Sequence, residues 1–319
     1  MQTLNVGIIG WGRMGKIRAE ATKNCGHQLT AVLDTDDQRL AEIKEQFPKT
    51  RTYTNLKDLP VDNVDVIFIC SPPCFHLAHI AFAIEHHLPF LIEKPLSVNA
   101  GGLLGLQNTI KEKGLINAVG YMNRYRPSIL HIKGGAFLGI SSYWINKMYQ
   151  VPWWGNVQES GGPLNEQATH LLDLNRYIMG EVKEVYATSS DNSLDFATTI
   201  SIALKFENGA VGNILYSCDA ATKSIGLDLY TSENKINLSG WDFNLIGPAD
   251  IALSALSAQE IFDLEAGSFF NAVINNDPSL ILSDTTDAIK TQTLVDAVNL
   301  SLNANAPISL KTIKNEILI

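Results

Sequence analysis

The sequence predicts two architectures in series: a doubly wound parallel α/β domain over residues 1–121, then an α+β domain with an open, mainly antiparallel sheet over residues 122–319. Three observations carry that expectation. The apolar run Val6-Gly7-Ile8-Ile9 enters a G-x-G-x-x-G turn at Gly10, Gly12 and Gly15 and continues into helical spacing, which reads as strand, tight turn and helix. Strand-like and helix-like segments then alternate as far as Tyr121, the pattern of a parallel sheet with crossover helices. Beyond Tyr121 the strand-like runs follow one another with few helices between them.

In chain order, residues 29–33 form a second apolar strand ending on Asp34, and residues 36–46 have helical spacing that stops at Pro48. A short strand near 52–54 and a small helix at 55–59 follow. Residues 64–70 are a nearly continuous β-branched run, as in a parallel strand buried on both faces, and end on Ser71-Pro72. A helix at 75–87, a strand at 89–92 ending on Glu93-Lys94-Pro95, a helix at 97–113 and a strand at 117–121 complete the first domain. Residues 122–131 read as a connecting helix interrupted at Pro127. Strands are expected at 140–149, 182–189, 196–206, 210–218, 225–231 and 235–238, with Glu207-Asn208-Gly209 as a hairpin turn, and helices at 260–275 and 285–303.

Composition narrows the partners. The 319 residues are long enough for two domains, and the net charge of −9 argues against a nucleic-acid surface, which needs a basic stripe. No apolar run reaches the roughly 18 residues of a membrane span. The N-terminus enters the first strand directly, without a basic leader or apolar signal core, so a cytoplasmic protein is expected. The four cysteines form no C-x-x-C pair, which speaks against structural zinc or a disulfide framework, and no metal is expected.

The glycine turn has a specific chemistry. Gly10 allows the sharp turn, Gly12 leaves room for a pyrophosphate near the backbone, and Gly15 lets the helix pack on the strand, while Trp11, Arg13 and Met14 lie between them. The helix N-terminus offers its free N–H groups to the phosphates. Asp34, at the end of the second strand, is placed to accept hydrogen bonds from the adenosine ribose hydroxyls and to repel a 2′-phosphate, so a Rossmann domain binding NAD rather than NADP is expected. Ser71, Pro72, His76, Glu93 and Lys94 lie at or beside the carboxyl edge of the same sheet, where open α/β folds hold ligands.

A second group lies on one helix of the C-terminal domain. Ser160-Gly161-Gly162-Pro163 opens it with proline at the first helical position and Gly180 ends it. Glu166 and His170 stand four apart and share a face. Hydride transfer from a carbinol requires the hydroxyl proton to leave, and an imidazole, with an unperturbed pKa of about 6.5, suits that role near neutral pH. Glu166 can orient the ring and stabilise the imidazolium, and Lys94 can polarise the hydroxyl. Trp153-Trp154 either walls a substrate pocket or packs in the core, and Arg124 either contacts substrate or pairs with an acid. His76 and His79, three apart on a helix, lack a third metal ligand nearby; His76 is expected beside the cofactor.

Taken together, the glycine turn with Asp34, Ser71-Pro72 with His76, Glu93-Lys94-Pro95, Gly120-Tyr121 with Arg124, and the Gly161-Gly162 helix with His170 and Asp173 resemble the glucose–fructose oxidoreductase, inositol dehydrogenase and MocA superfamily. The likeness extends to Phe269-Phe270-Asn271-Ala272 and Ser301. The resemblance implies a nicotinamide oxidoreductase acting on CH–OH groups of a sugar, polyol or related small molecule. It also implies a homodimer or homotetramer formed through the C-terminal sheet. Carried over by position, it gives the hydroxyl-binding lysine to Lys94 and the acid/base pair to His170 and Glu166. This chain departs from the commonest pattern by having Glu at 166 where aspartate is usual, which leaves open whether Glu166 serves His170 or the substrate. A reductase of a keto or imine compound and a dinucleotide-binding regulatory protein are the alternatives; the second has no need of a proton-transfer pair.

Overall fold

A computed structural model describes residues 2–190, 194–246 and 256–317, the side chains of 314–317 excepted. The chain divides into two compact units. One comprises Met1–Ser97, Gly102–Met122 and Ser257–Ala288; the other comprises Val98–Gly101, Asn123–Leu256 and Ile289–Ile319.

The first unit is built on β1 (Asn5–Ile9), α1 (Arg13–Asn24), β2 (Gln28–Leu33), α2 (Asp37–Gln46), β3 (Arg51–Tyr53), β4 (Val66–Ile69), α3 (His76–Glu85), β5 (Phe90–Ile92), α4 (Leu103–Glu112) and β6 (Asn117–Val119). The six strands lie in the order β3-β2-β1-β4-β5-β6 and every neighbouring pair is parallel. This is the doubly wound order with its reversal between β1 and β4, the place where such sheets take ligands. Val66, Ile67, Phe68 and Ile69 are all buried, as the unbroken β-branched run required. Helix α2 begins where the Asp36 carboxylate accepts the N–H groups of Gln38 and Arg39. Helix α4 starts at Leu103, later than the expected residue 97: the Asn99 side chain accepts the N–H of Gly101, and that local turn outcompetes helix.

The second unit contains α5 (Pro127–Ile132), β7 (Gly139–Ile145), α6 (Val157–Ser160), α7 (Thr169–Met179), β8 (Val182–Ser189), β9 (Thr199–Phe206), β10 (Val211–Ser217), β11 (Ser224–Tyr230), β12 (Lys235–Ser239) and β13 (Asn244–Ile246). After α8 (Ala258–Asn275) come α9 (Thr285–Ala304), β14 (Ile308–Ser309) and α10 (Leu310–Ile317). The eight strands run β13-β12-β11-β7-β10-β9-β8-β14, antiparallel except for the β7–β10 pair. One face buries Ile140, Trp144, Ile202, Ile214, Tyr216 and Leu227 in a core shared with Leu171, Leu174 and Ile178 of α7 and with Val295 and Val298. The other face is exposed and carries Tyr143, Tyr186, Val211, Leu215 and Tyr230.

The expected single boundary after Tyr121 places residues 122–319 together, whereas Ser257–Ala288 returns to the first unit. The reason is packing. Ala266, Phe269 and Phe270 of α8 join the first unit's core beside Val6, Ile8 and Phe68, and the capping box of Ser257 and Glu260 starts the helix there. Strand β7 also ends at Ile145, short of residue 149.

Candidate active site

The candidate dinucleotide cradle of the first unit follows from the first turn. Gly10 has φ +98°, and a Cβ there would stand 2.8 Å from the Cys70 carbonyl and the Ser71 nitrogen; a Cβ on Gly15 would overlap the Gly10 carbonyl oxygen. Gly12, by contrast, faces open space and caps α1 without a side-chain bond to the helix N–H groups. A backbone cradle with room above the middle glycine, at the N-terminus of a 12-residue helix, fits a pyrophosphate. Arg13 is exposed and Met14 half-buried at that terminus. Trp11 offers its backbone, not its ring: its N–H donates to Asp34 Oδ2 at 2.6 Å while the indole is buried edge-on to Phe47. Asp34 is buried just past the end of β2.

At the carboxyl edge of β4 and β5 the expected cofactor contacts separate into two kinds. Ser71, beside Gly10, and Pro72 are half-buried, and Lys94 is half-buried just past the end of β5. His76 and Glu93 are both buried and held by protein partners at this edge. His76 is 1% exposed, with Nε2 2.8 Å from the Ser71 carbonyl oxygen and Nδ1 3.0 Å from that of Pro95, so it clips the β4 and β5 loops together. Burial pushes its pKa down to about 4 despite those backbone contacts, so at neutral pH the ring holds one proton and donates to one carbonyl at a time. His79 meets the Ser71 hydroxyl at 2.9 Å and is likewise pushed down by burial to about 4. Glu93 accepts from Arg18 Nε at 2.7 Å, and Arg18 Nη2 donates to Glu265 of α8 at 2.6 Å. Burial disfavours the Arg18 cation, but Glu93 and Glu265 outweigh it and hold the guanidinium charged.

The candidate acid/base pair of the second unit lies at the start of α7. Residues Leu164–Ala168 make a π turn, with the Thr169 N–H bonding back to Leu164, a wide turn often found at functional sites. Gly161, at φ +76°, is required before it, because a Cβ would strike the Asn165 side chain. Glu166 and His170 are each 8% exposed. The Trp154 indole donates to Glu166 Oε2 at 2.7 Å, and the His170 ring stacks on Trp144. Next to Glu166, Gln167 accepts the Tyr216 hydroxyl at 2.8 Å. Burial raises the Tyr216 pKa far above the physiological range, so the phenol stays neutral.

Arg124 and Trp153, two expected substrate contacts, both meet protein partners. Arg124 donates through Nε and Nη2 to both oxygens of Asp173, at 2.8 and 2.5 Å, under the Tyr177 ring; with its side chain 2% exposed it is a buried strut. Trp153 packs partly buried against the second unit's core, while its neighbour Trp154 is the one that reaches Glu166. The sequence reading missed Trp144 and Trp241. Trp144 occupies an inward position of β7, legible from the period of two, and Trp241 stands edge-on to it at 5.6 Å with the Lys223 ammonium 3.8 Å from its centroid. Among the described residues no group of three or more His, Cys, Asp or Glu side chains is placed to hold a metal, and no helix is long and apolar enough to cross a membrane.

Residues 4–121 match the family model described as "Oxidoreductase family, NAD-binding Rossmann fold", and residues 135–240 match the GFO/IDH/MocA C-terminal domain. The chain belongs to the Gfo/Idh/MocA family. Among its Gfo/Idh/MocA relatives, the myo-inositol 2-dehydrogenase of Thermotoga maritima is 29% identical over 229 residues, covering 66% of this chain and 67% of that protein. An uncharacterized oxidoreductase of Bacillus subtilis, YrbE, is 31% identical over 65% of each chain. The fold also matches a levoglucosan dehydrogenase in complex with NADH (TM-score 0.84, 21% identity, 97% of this chain and 99% of that one) and GenD2 of gentamicin A biosynthesis in complex with NAD (TM-score 0.85, 19% identity, 97% of each).

Proposed function

We propose that this Gfo/Idh/MocA oxidoreductase is a dehydrogenase that oxidises a secondary hydroxyl of a polyol, sugar or related small hydroxy compound with NAD. The observation that carries the reading is the start of α7, where a carboxylate and an imidazole one turn apart are each fixed by a tryptophan, Trp154 on Glu166 and Trp144 on His170. A protein that only senses a nucleotide has no use for such a pair.

Bound NAD supplies the hydride acceptor. His170 takes the hydroxyl proton as the C–H bond breaks, and Lys94 donates a hydrogen bond to the same oxygen as negative charge gathers on it. Glu166, held by Trp154, stabilises the imidazolium that His170 becomes. In the reverse direction the same groups return the proton, so reduction of a keto compound needs no further machinery. Asp34 favours NAD(H) over NADP(H) by at least roughly tenfold, about 1.4 kcal/mol, because a 2′-phosphate would meet its carboxylate. The four cysteines are free thiols, which supports a cytoplasmic setting. The exposed apolar face of the second sheet supports a homodimer or homotetramer.

A screen of inositols, hexoses and hydroxy acids followed at 340 nm identifies the substrate. On that substrate Lys94→Ala and His170→Ala should each lower turnover by roughly 10² to 10⁴, with the double variant losing less than the product. NAD affinity should change little in His170→Ala. Full turnover in that variant would return His170 to a structural role and end the proposal.

A further inference from the structure

The carboxylate at the end of β2 is not an isolated anion. Asp34 Oδ1 accepts the Asp36 N–H at 2.9 Å and Oδ2 accepts the Trp11 N–H at 2.6 Å. Arg39, in the first turn of α2, brings Nη1 to 3.5 Å from the same Oδ2 and Nε to 3.5 Å from the Asp36 carboxylate. Its side chain is 48% exposed, so the guanidinium can turn without disturbing the core.

An ionised carboxylate offers about four lone-pair sites. Two backbone N–H groups hold Asp34 in place whichever nucleotide is present, and the remaining sites are open to ribose hydroxyls or to Arg39. With NAD, the two hydroxyls of the adenosine ribose compete with Arg39 for Asp34. With NADP, one of those hydroxyls becomes a phosphomonoester dianion, which cannot donate to Asp34 but can accept the fork of a guanidinium within one side chain's reach. Asp34, Asp36 and the adjacent Asp37 still oppose that phosphate, so NAD remains preferred.

We propose that Arg39 forms a 2′-phosphate subsite, so that the enzyme accepts NADP(H) as a second, weaker cofactor instead of excluding it. The proposal rests on the placement of the ribose at Asp34, but not on the roles of Lys94 and His170.

The test is calorimetric titration of the full chain with NADH and NADPH. The wild type should bind both, NADH more tightly. Arg39→Ala should weaken NADPH roughly tenfold or more while changing NADH by less than about threefold, and Arg39→Lys should lie between, because it keeps the charge and loses the fork. Asp34→Ala should narrow or invert the preference, and adding Arg39→Ala to it should remove that gain. Thermal melts check that each variant folds. Undetectable NADPH binding to the wild type, an unchanged NADPH affinity in Arg39→Ala, or an equal loss of both nucleotides would overturn the proposal; the last result would make Arg39 a support for Asp34 or α2. Since every readout is binding, a catalytically dead His170 variant leaves the test intact, and the two readings fail separately.

Discussion

The indole of Trp144 lies parallel to the imidazole of His170, with ring centroids 5.3 Å apart and planes 10° apart. Trp144 is 1% exposed within β7, so its plane is set by the sheet, and the sheet in turn sets the plane of the ring on α7. A stacked aromatic pair contributes about 0.5–1.5 kcal/mol beyond the area it buries. Trp144→Leu should therefore lower kcat by roughly three- to tenfold through loss of ring alignment, with KM little changed, and Trp144→Phe should recover part of the loss. Steady-state kinetics normalised to bound NADH, which excludes unfolded enzyme, decides it. Equal kcat in all three proteins would remove Trp144 from the catalytic arrangement.

Glu166 is open to a sharper division of roles. Its Oε2 accepts the Trp154 indole N–H, and the carboxylate can serve either His170 or the substrate. If the carboxylate serves the ring, Glu166→Gln gives a kcat between wild type and His170→Ala at a nearly constant KM. If it grips a substrate hydroxyl, the same change mainly raises KM. Trp154→Phe, which removes the indole donor and keeps the aromatic bulk, should shift the same parameter in the same direction by a smaller factor.

The first unit was legible in the sequence because its signals are local. The Gly10 turn, the buried run ending at Ile69 and the alternation of strand and helix are each set within a few residues of chain. The return of α8 was hidden because nothing in its own spacing says which core it joins: Arg18 finds Glu265 across 247 positions of sequence, and only the fold brings them together. The same distinction runs through the site. Glu166, His170, Lys94 and Asp34 are candidates that motif spacing singles out. Arg124 and Glu93 stand beside motifs, where a charged side chain reads the same whether it faces a ligand or a buried counter-ion. Their buried partners, Asp173 and Arg18, lie 49 and 75 positions away, beyond the reach of local spacing. Trp144 lay in a strand whose edges were placed correctly to within a few residues, yet its meeting with His170 depends on the packing of α7 on β7.

The exposed face of the second sheet carries its own prediction. Tyr143 pairs in register with Leu215 across β7 and β10, and Val211 and Tyr230 flank Gly139 two same-face steps along. Val211 is 59% and Leu215 45% exposed, an apolar stripe on a sheet that favours burial against a second copy. Wild type should be a dimer or tetramer by light scattering at micromolar concentration, and Leu215→Arg should dissociate it to smaller species. A monomeric wild type would refute this.

A pH dependence of stability follows from Asp296 of α9. Its Oδ2 accepts the Ala100 N–H at 2.8 Å, and burial raises its pKa from 3.8 to about 6 against the opposing pull of that bond. Because the folded value lies above the unfolded one, the group's stabilising contribution is full below about pH 4 and is lost as pH rises through 6; above that the fold carries a buried carboxylate. The rise corresponds to roughly 3 kcal/mol at most, less after relaxation of the surroundings. Asp296→Asn keeps an oxygen for Ala100 and removes the charge, so it should be more stable than wild type at pH 7.5 by roughly 1–3 kcal/mol and nearly equal to it at pH 4. Comparing urea unfolding of the two proteins at both pH values cancels every other titrating group, and a difference independent of pH would show that the Asp296 carboxylate is ordinarily solvated.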